Sequence, residues 1–115
     1  MGYMRVLNVT NNIILARDLR VANTFLSRLK GLLGTSSLPE GQGLLISPCD
    51  SIHMFGMRYP IDVVFVTGEF QVIKVLHCFP PGKVASCPGS AHVLELPAGI
   101  LASTGTSPGD FLVIK

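Results

Sequence analysis

The sequence predicts an α+β domain that is mainly β: a small antiparallel sheet curled toward a barrel, with one main helix (about 23–34) packed on it. Three observations carry this. Short β-branched runs recur along the chain between turn residues. A single stretch, from Thr24 to about Leu33, has helical periodicity. Pro-Gly pairs at Pro81-Gly82, Pro88-Gly89 and Pro108-Gly109 punctuate the second half. Pro fixes φ near −65° and Gly supplies the positive φ that follows, so each pair is a type II turn candidate. Many short strands with one amphipathic helix are best satisfied by a sheet closing on itself.

Each element has its own signal. The segment Met1–Asn12 alternates apolar residues around Arg5 and reads as a strand, not as a signal peptide. VLNV and IILA flank Thr10-Asn11-Asn12 between Val6 and Ala16, a hairpin pattern because Asn tolerates positive φ. Asn23 is placed to cap the helix. Phe25, Leu26, Leu29, Leu32 and Leu33 form one apolar stripe, and Gly34 is its expected left-handed end. Leu44-Leu45-Ile46 is a short strand, and Ile61–Val66 with Val72–Leu76 form the central hairpin around Thr67–Phe70. Val93–Leu96 and Phe111–Ile114 are further strands, with a short helix expected within Pro97–Thr104, before Gly105.

The chain has 115 residues, the length of one domain (1–115). A hydrophobic fraction of 48% with 14% charged residues excludes a disordered chain. Nine Lys and Arg against 7 Asp and Glu give a net charge of +2, which does not favour a nucleic-acid partner. The apolar runs are strand-length, so no membrane span is expected, and cytoplasmic location is the default. Three cysteines without CxxC spacing predict free thiols in a reducing compartment, or one disulfide and a spare in an oxidising one. The expected state is a monomer or weak dimer, without a cofactor.

The segment from Cys49 to Asp62 is the richest in chemistry. Arg58 and Asp62 flank Pro60. Either Arg58 grips an anionic ligand that Asp62 orients or deprotonates, or the two form an ion pair that ties the loop to the following strand. His53 and Cys49 are a weak metal pair, to which Cys87 could add a third ligand. The same thiol and imidazole could form a nucleophile and base, or Cys49 could form a disulfide with Cys87. The blander reading makes His53 a hydrogen-bonded loop residue and Cys49 a small buried group. Arg28 and Gly31 fall on the helix face away from the stripe. A mid-helix glycine costs about 1 kcal/mol against alanine, which predicts close packing on Gly31 with Arg28 at its edge. The alternative leaves both residues exposed. Glu95 alternates with Leu94 and Leu96 in a strand, where burial would raise its pKa, although a solvent-facing or Arg-paired carboxylate is the commoner case.

RLKGLLG (Arg28–Gly34), SLPEGQGLLI (Ser37–Ile46), SIHMFGMRYPIDVVFV (Ser51–Val66), VLELPAG (Val93–Gly99) and PGD (Pro108–Asp110) stand in this order. Together they resemble the domain of unknown function 192 family over about Val9–Val113. The resemblance implies a compact, mainly β single domain with a helix, found in bacteria and archaea and in some members placed behind an export signal. It implies no activity and supplies no catalytic residues. The positions that match its signature are Arg28, Gly31, Phe55, Met57, Arg58, Pro60, Asp62, Glu95, Pro97 and Gly99. Many members have a tryptophan where this chain has Gly56.

These readings favour a non-catalytic domain that binds a small polar or anionic ligand, or a partner peptide. Its pocket is framed by the 49–62 loop, the Arg28/Gly31 helix face and the 95–99 segment, with Arg28, Gly31, His53, Phe55, Met57, Arg58, Asp62 and Glu95 as ligand-binding candidates. The alternatives are a hydrolase using Asp62 or Glu95 with Cys49 and His53, and a structural or assembly partner.

Overall fold

The computed structural model describes residues 4–115, so the first three positions of the expected Met1–Asn12 strand lie outside the described residues. In chain order the elements are β1 (Met4–Asn8), β2 (Ile13–Ala22), α1 (Phe25–Lys30), β3 (Gln42–Ile46), β4 (Ser51–His53), β5 (Ile61–Val66), β6 (Val72–Phe79), β7 (Val84–Ser86), β8 (His92–Pro97), α2 (Ile100–Thr104) and β9 (Leu112–Ile114). Seven strands form one sheet in the order β6-β5-β8-β3-β2-β1-β9, and β4 pairs with β7 in a second, small sheet.

The main sheet curls into a half-barrel whose two edges meet at one end. Gln71, before β6, bridges Phe111, before β9. The Val72 amide donates to the Asp110 carbonyl at 2.8 Å, and the Leu112 amide to the Phe70 carbonyl at 2.9 Å. Asn8 fastens the same end from within. It is fully buried, and its Nδ2 donates to Thr106 Oγ1 at 3.1 Å and to Asp110 Oδ2 at 2.9 Å. One pairing departs from the antiparallel expectation: β2 and β3 run parallel. The chain leaves β2, crosses through α1 and a long loop, and re-enters the sheet in the same direction, the kind of crossover that parallel neighbours require.

β5 is buried along its whole length and separates two apolar cores. Val64 and Val66 join Val6, Leu15, Leu94 and Leu96 inside the half-barrel, closed by Leu101 of α2. Ile61, Val63 and Phe65 face the other way, toward Val93, Ile52, Met54 and Cys87, under the small sheet.

The principal helix is shorter than the periodicity predicts, and it is capped by Thr24 instead of Asn23. Thr24 Oγ1 accepts from the Ser27 amide at 3.1 Å while Ser27 Oγ accepts from the Thr24 amide at 2.9 Å, a reciprocal capping box. Gly31 ends the helix at φ 50°, ψ −125°, so it is a terminator and not a mid-helix residue. Its glycine identity answers to this backbone and not to close packing: the nearest atom to an added Cβ is the Arg28 carbonyl oxygen, at 3.9 Å. The shortening also unseats the apolar stripe. No residue of α1 is buried, and Phe25, Leu26 and Leu29 are 72%, 74% and 61% exposed. Leu32, in the turns beyond the helix, is the stripe residue that packs against the cores.

Candidate functional site

A cavity of about 320 Å³ lies on the outer face of the sheet, between α1, the loop leading into β4, and strands β3 and β8. The sequence makes room for it in a simple way. α1 stops at Gly31 before it can lie flat on the sheet, and the loop at Pro48–Ser51 turns away from β3 to begin the small sheet. Ile46, Ile52, Met54 and Leu32 supply apolar walls, and Phe25 and Leu29 form an exposed apolar lip.

Of the charged residues that line the cavity, Arg28, Lys30, Asp50 and Glu95, two have polar atoms enclosed without a partner or left unbonded, Arg28 and Glu95. Glu95, on β8, is 6% exposed and pairs across the sheet with Leu44 on one side and Val63 on the other, so neither neighbouring strand offers it a polar partner. Its carboxyl makes no hydrogen bond among the described residues, and burial pushes its pKa up to about 7. Arg28 reaches in from α1. Its Nη1 donates to the Pro48 carbonyl at 3.2 Å, whereas its Nε is enclosed without a hydrogen-bond partner.

Of the eight ligand-binding candidates, Arg28, Gly31, His53, Met57 and Glu95 line this cavity. Phe55, Arg58 and Asp62 do not. Phe55 is exposed and stacks on His53 with ring centroids 5.4 Å apart. The Arg58–Asp62 pairing is corrected. Arg58 is exposed, and Asp62 is fully buried on backbone amides. Oδ1 accepts from the Cys78 amide at 2.8 Å, and Oδ2 from the Gly99 and Leu101 amides at 3.1 and 2.8 Å. Asp62 is thus a structural anchor that ties β6 and the start of α2 to β5. It also sits on the interior face, while Glu95 sits on the outer one, so the two carboxyls do not share a site.

Of the metal and nucleophile candidates, Cys49 and His53 both line the cavity and Cys87 does not. Cys49 lines the cavity, with its Sγ donating to the Ser51 carbonyl at 3.0 Å. Burial pushes its thiol up, and the nearby Glu95 and Asp50 charges add to this, outweighing backbone hydrogen bonding from Ser51 and the Arg28 charge. Cys87 is buried beneath the loop, Cys78 is exposed, and all three are free thiols. Among the described residues, no three His, Cys, Asp or Glu side chains converge as a metal site would require. His92 lies apart, with Nδ1 2.7 Å from Ser47 Oγ and its ring stacked on Phe70, and burial lowers its pKa.

The sequence matches the family described as an uncharacterized ACR, the domain of unknown function 192, across residues 6–114. The chain belongs to this family. Among its relatives, a UPF0127 protein of Pyrococcus horikoshii is 27% identical over 91% of this chain and 94% of its own length. A UPF0127 protein of Thermococcus sibiricus is 26% identical over 91% of this chain and 71% of its own. In fold, the chain is similar to a protein of unknown function from Novosphingobium aromaticivorans, with a TM-score of 0.82 and 23% identity, covering 96% of this chain and 82% of that one. The family is uncharacterised, so these likenesses support the architecture and leave the site to be argued from its own geometry. Among the described residues no helix is long and apolar enough to cross a membrane.

Sequence reasoning places Met57 and the loop that carries Ile52 and Met54 at the pocket, but misses Leu29, Leu32 and Ile46 as walls. The periodicity puts Leu29 and Leu32 in the helix stripe, and Ile46 reads only as a strand residue. A weak signal existed in the apolar residues of Ile52–Met57, which are too dense for a loop facing water.

Proposed function

We propose that this DUF192 domain is a non-catalytic binding domain, and that the cavity over β8 receives a small polar ligand or the end of a partner peptide. One observation carries the reading: the Arg28 Nε and the Glu95 carboxyl, both without hydrogen-bond partners among the described residues, belong to side chains that line the same cavity. Buried polar groups are ordinarily satisfied within a fold, and the places where they are not are where a ligand completes them. The volume suits a molecule of modest size, and the exposed lip of Phe25 and Leu29 extends the apolar contact outward. Binding is favoured over hydrolysis because the two buried carboxyls face opposite sides of the sheet, and the Cys49 thiol is held toward its protonated form. The reading requires no cofactor.

The test uses the methionines. The chain has four, and Met54 and Met57 both line the cavity. With 13C-labelled methionine methyls, a set of small polar compounds carrying short apolar groups should include members that shift Met54 and Met57 in the native protein. The same members should leave them unmoved when Ile46→Trp fills the space. Shifts that persist in Ile46→Trp, or a set in which no member moves either methyl, would overturn the reading.

A further inference from the structure

We propose that Glu95 is the recognition group of this cavity and that the ligand presents a protonated amine, carried on an apolar body, to its carboxylate. The inference rests on the binding reading above and specifies the ligand's chemistry.

The argument begins with the position of Glu95. It occupies a central strand of the sheet, with Leu44 and Val63 as its cross-strand neighbours, and the cavity is the side on which it is left open. A carboxyl so placed is costly to ionise alone and becomes favourable when a cation reaches it, since a charge-assisted bond in a poorly solvated site is strong. Among the described residues no cation pairs with it: Arg28 and Lys30 both line the cavity, yet Arg28 turns Nη1 to the Pro48 carbonyl and neither forms an ion pair with the carboxyl. A ligand entering past Phe25 and Leu29 meets Arg28 at the half-exposed rim and Glu95 at the buried floor. An anion carried to that floor would face an unpaired carboxylate, whereas an ammonium would complete it. A metal ion is disfavoured by the donor set, because no three His, Cys, Asp or Glu side chains come together there among the described residues. The walls of Ile46, Ile52 and Met54 select an apolar body behind the amine.

Burial pushes the Glu95 pKa up to about 7, so proton and amine compete for one carboxylate. The groups that line the cavity with it are Arg28 and Lys30 on α1, Cys49 and Asp50 in the loop, and His53 at the end of β4. β3 and β5 contribute only Leu44 and Val63. His53 is the imidazole that lines the cavity, so it is the control.

Three molecules of one shape separate the possibilities: isopentylamine, isopentanol and 4-methylpentanoate, each titrated while the Met54 and Met57 methyls are followed. The amine should bind at least tenfold more tightly than the alcohol at pH 8. Its dissociation constant should rise roughly 100-fold between pH 8 and pH 5 as Glu95 takes up its proton. Glu95→Gln should abolish both the preference and the pH dependence, while His53→Asn should retain both. If the alcohol or the acid binds as tightly as the amine, or the pH dependence survives in Glu95→Gln, the amine assignment is overturned and the binding cavity stands. If none of the three moves either methyl while other compounds of the polar set do, the assignment again falls alone. If nothing does, both fall.

Discussion

Asp62 and Glu95 are on adjacent, paired strands and are both buried, yet they point to opposite faces of the sheet. In the β5–β8 register Asp62 lies opposite Leu96 and Glu95 opposite Val63, one step apart. Because side chains alternate along a strand, that single step sends one carboxyl into the half-barrel and the other toward the cavity. The first is saturated by three amides and the second by none. The fold thereby separates a structural acid from a chemically open one.

Replacing Asp62 with Ala should destabilise the domain by on the order of 4 kcal/mol, since three buried amides lose their acceptor. Arg58→Ala should change stability by no more than about 0.5 kcal/mol, as befits an exposed side chain. Urea denaturation of both variants checks this. Equal losses would restore the ion pair that the sequence suggests.

Glu95 makes stability depend on pH. Its folded pKa of about 7 lies above its ordinary value of 4.5, so the folded state holds the proton more firmly than the unfolded chain. Stability should therefore fall as pH rises through that interval, by roughly 3 kcal/mol in total. Glu95→Gln should flatten this slope while remaining folded. Urea midpoints between pH 4.5 and 8 measure it, and a slope unchanged in the variant would assign the effect elsewhere.

Thiol alkylation should proceed in the order Cys78, Cys49, Cys87. Cys78 is exposed, Cys49 is half-buried with its thiol pushed up, and Cys87 is enclosed. Mass spectrometry of partly labelled protein gives the order. Preferential labelling of Cys49 would revive the nucleophile reading.

Leu26 should behave as a surface residue despite its place in an apolar stripe. At 74% exposure, Leu26→Ser should shift stability by less than about 0.5 kcal/mol. A loss of 2 kcal/mol or more, the range expected for a core leucine, would show that the helix packs more closely than this.

The β architecture was legible because its signals are local. β-branched runs and Pro-Gly turns decide strands without reference to the rest of the chain, and Ile61–Val66 is a strand at the limits its composition predicts. What escaped depends on pairing. Nothing in VAS at Val84–Ser86 announces a strand, which exists because β4 lies beside it. The ends of α1 turned on a competition between Asn23 and Thr24 as caps, decided by Ser27 three residues beyond Thr24. The site was half legible for the same reason. Glu95 was identifiable as a charge among apolar strand residues and Arg28 by its place beside Gly31, whereas excluding Asp62 required knowing the register between two strands separated by twenty-five residues of chain.

The clasp between the two edges of the sheet bears on how the molecule assembles. Asn8 and Asp110, joined by a hydrogen bond, stand 102 positions apart, and β1 pairs with β9 beside them. Bringing such distant segments together carries the largest loop-closure entropy in the chain, and folding rates fall as contacts become less local. The β5–β6 hairpin and the β1–β2 hairpin are local enough to form early, while the clasp requires both ends of the chain and belongs to the last events. The cavity, which is walled by residues between Phe25 and Glu95, can take shape before the half-barrel is fastened.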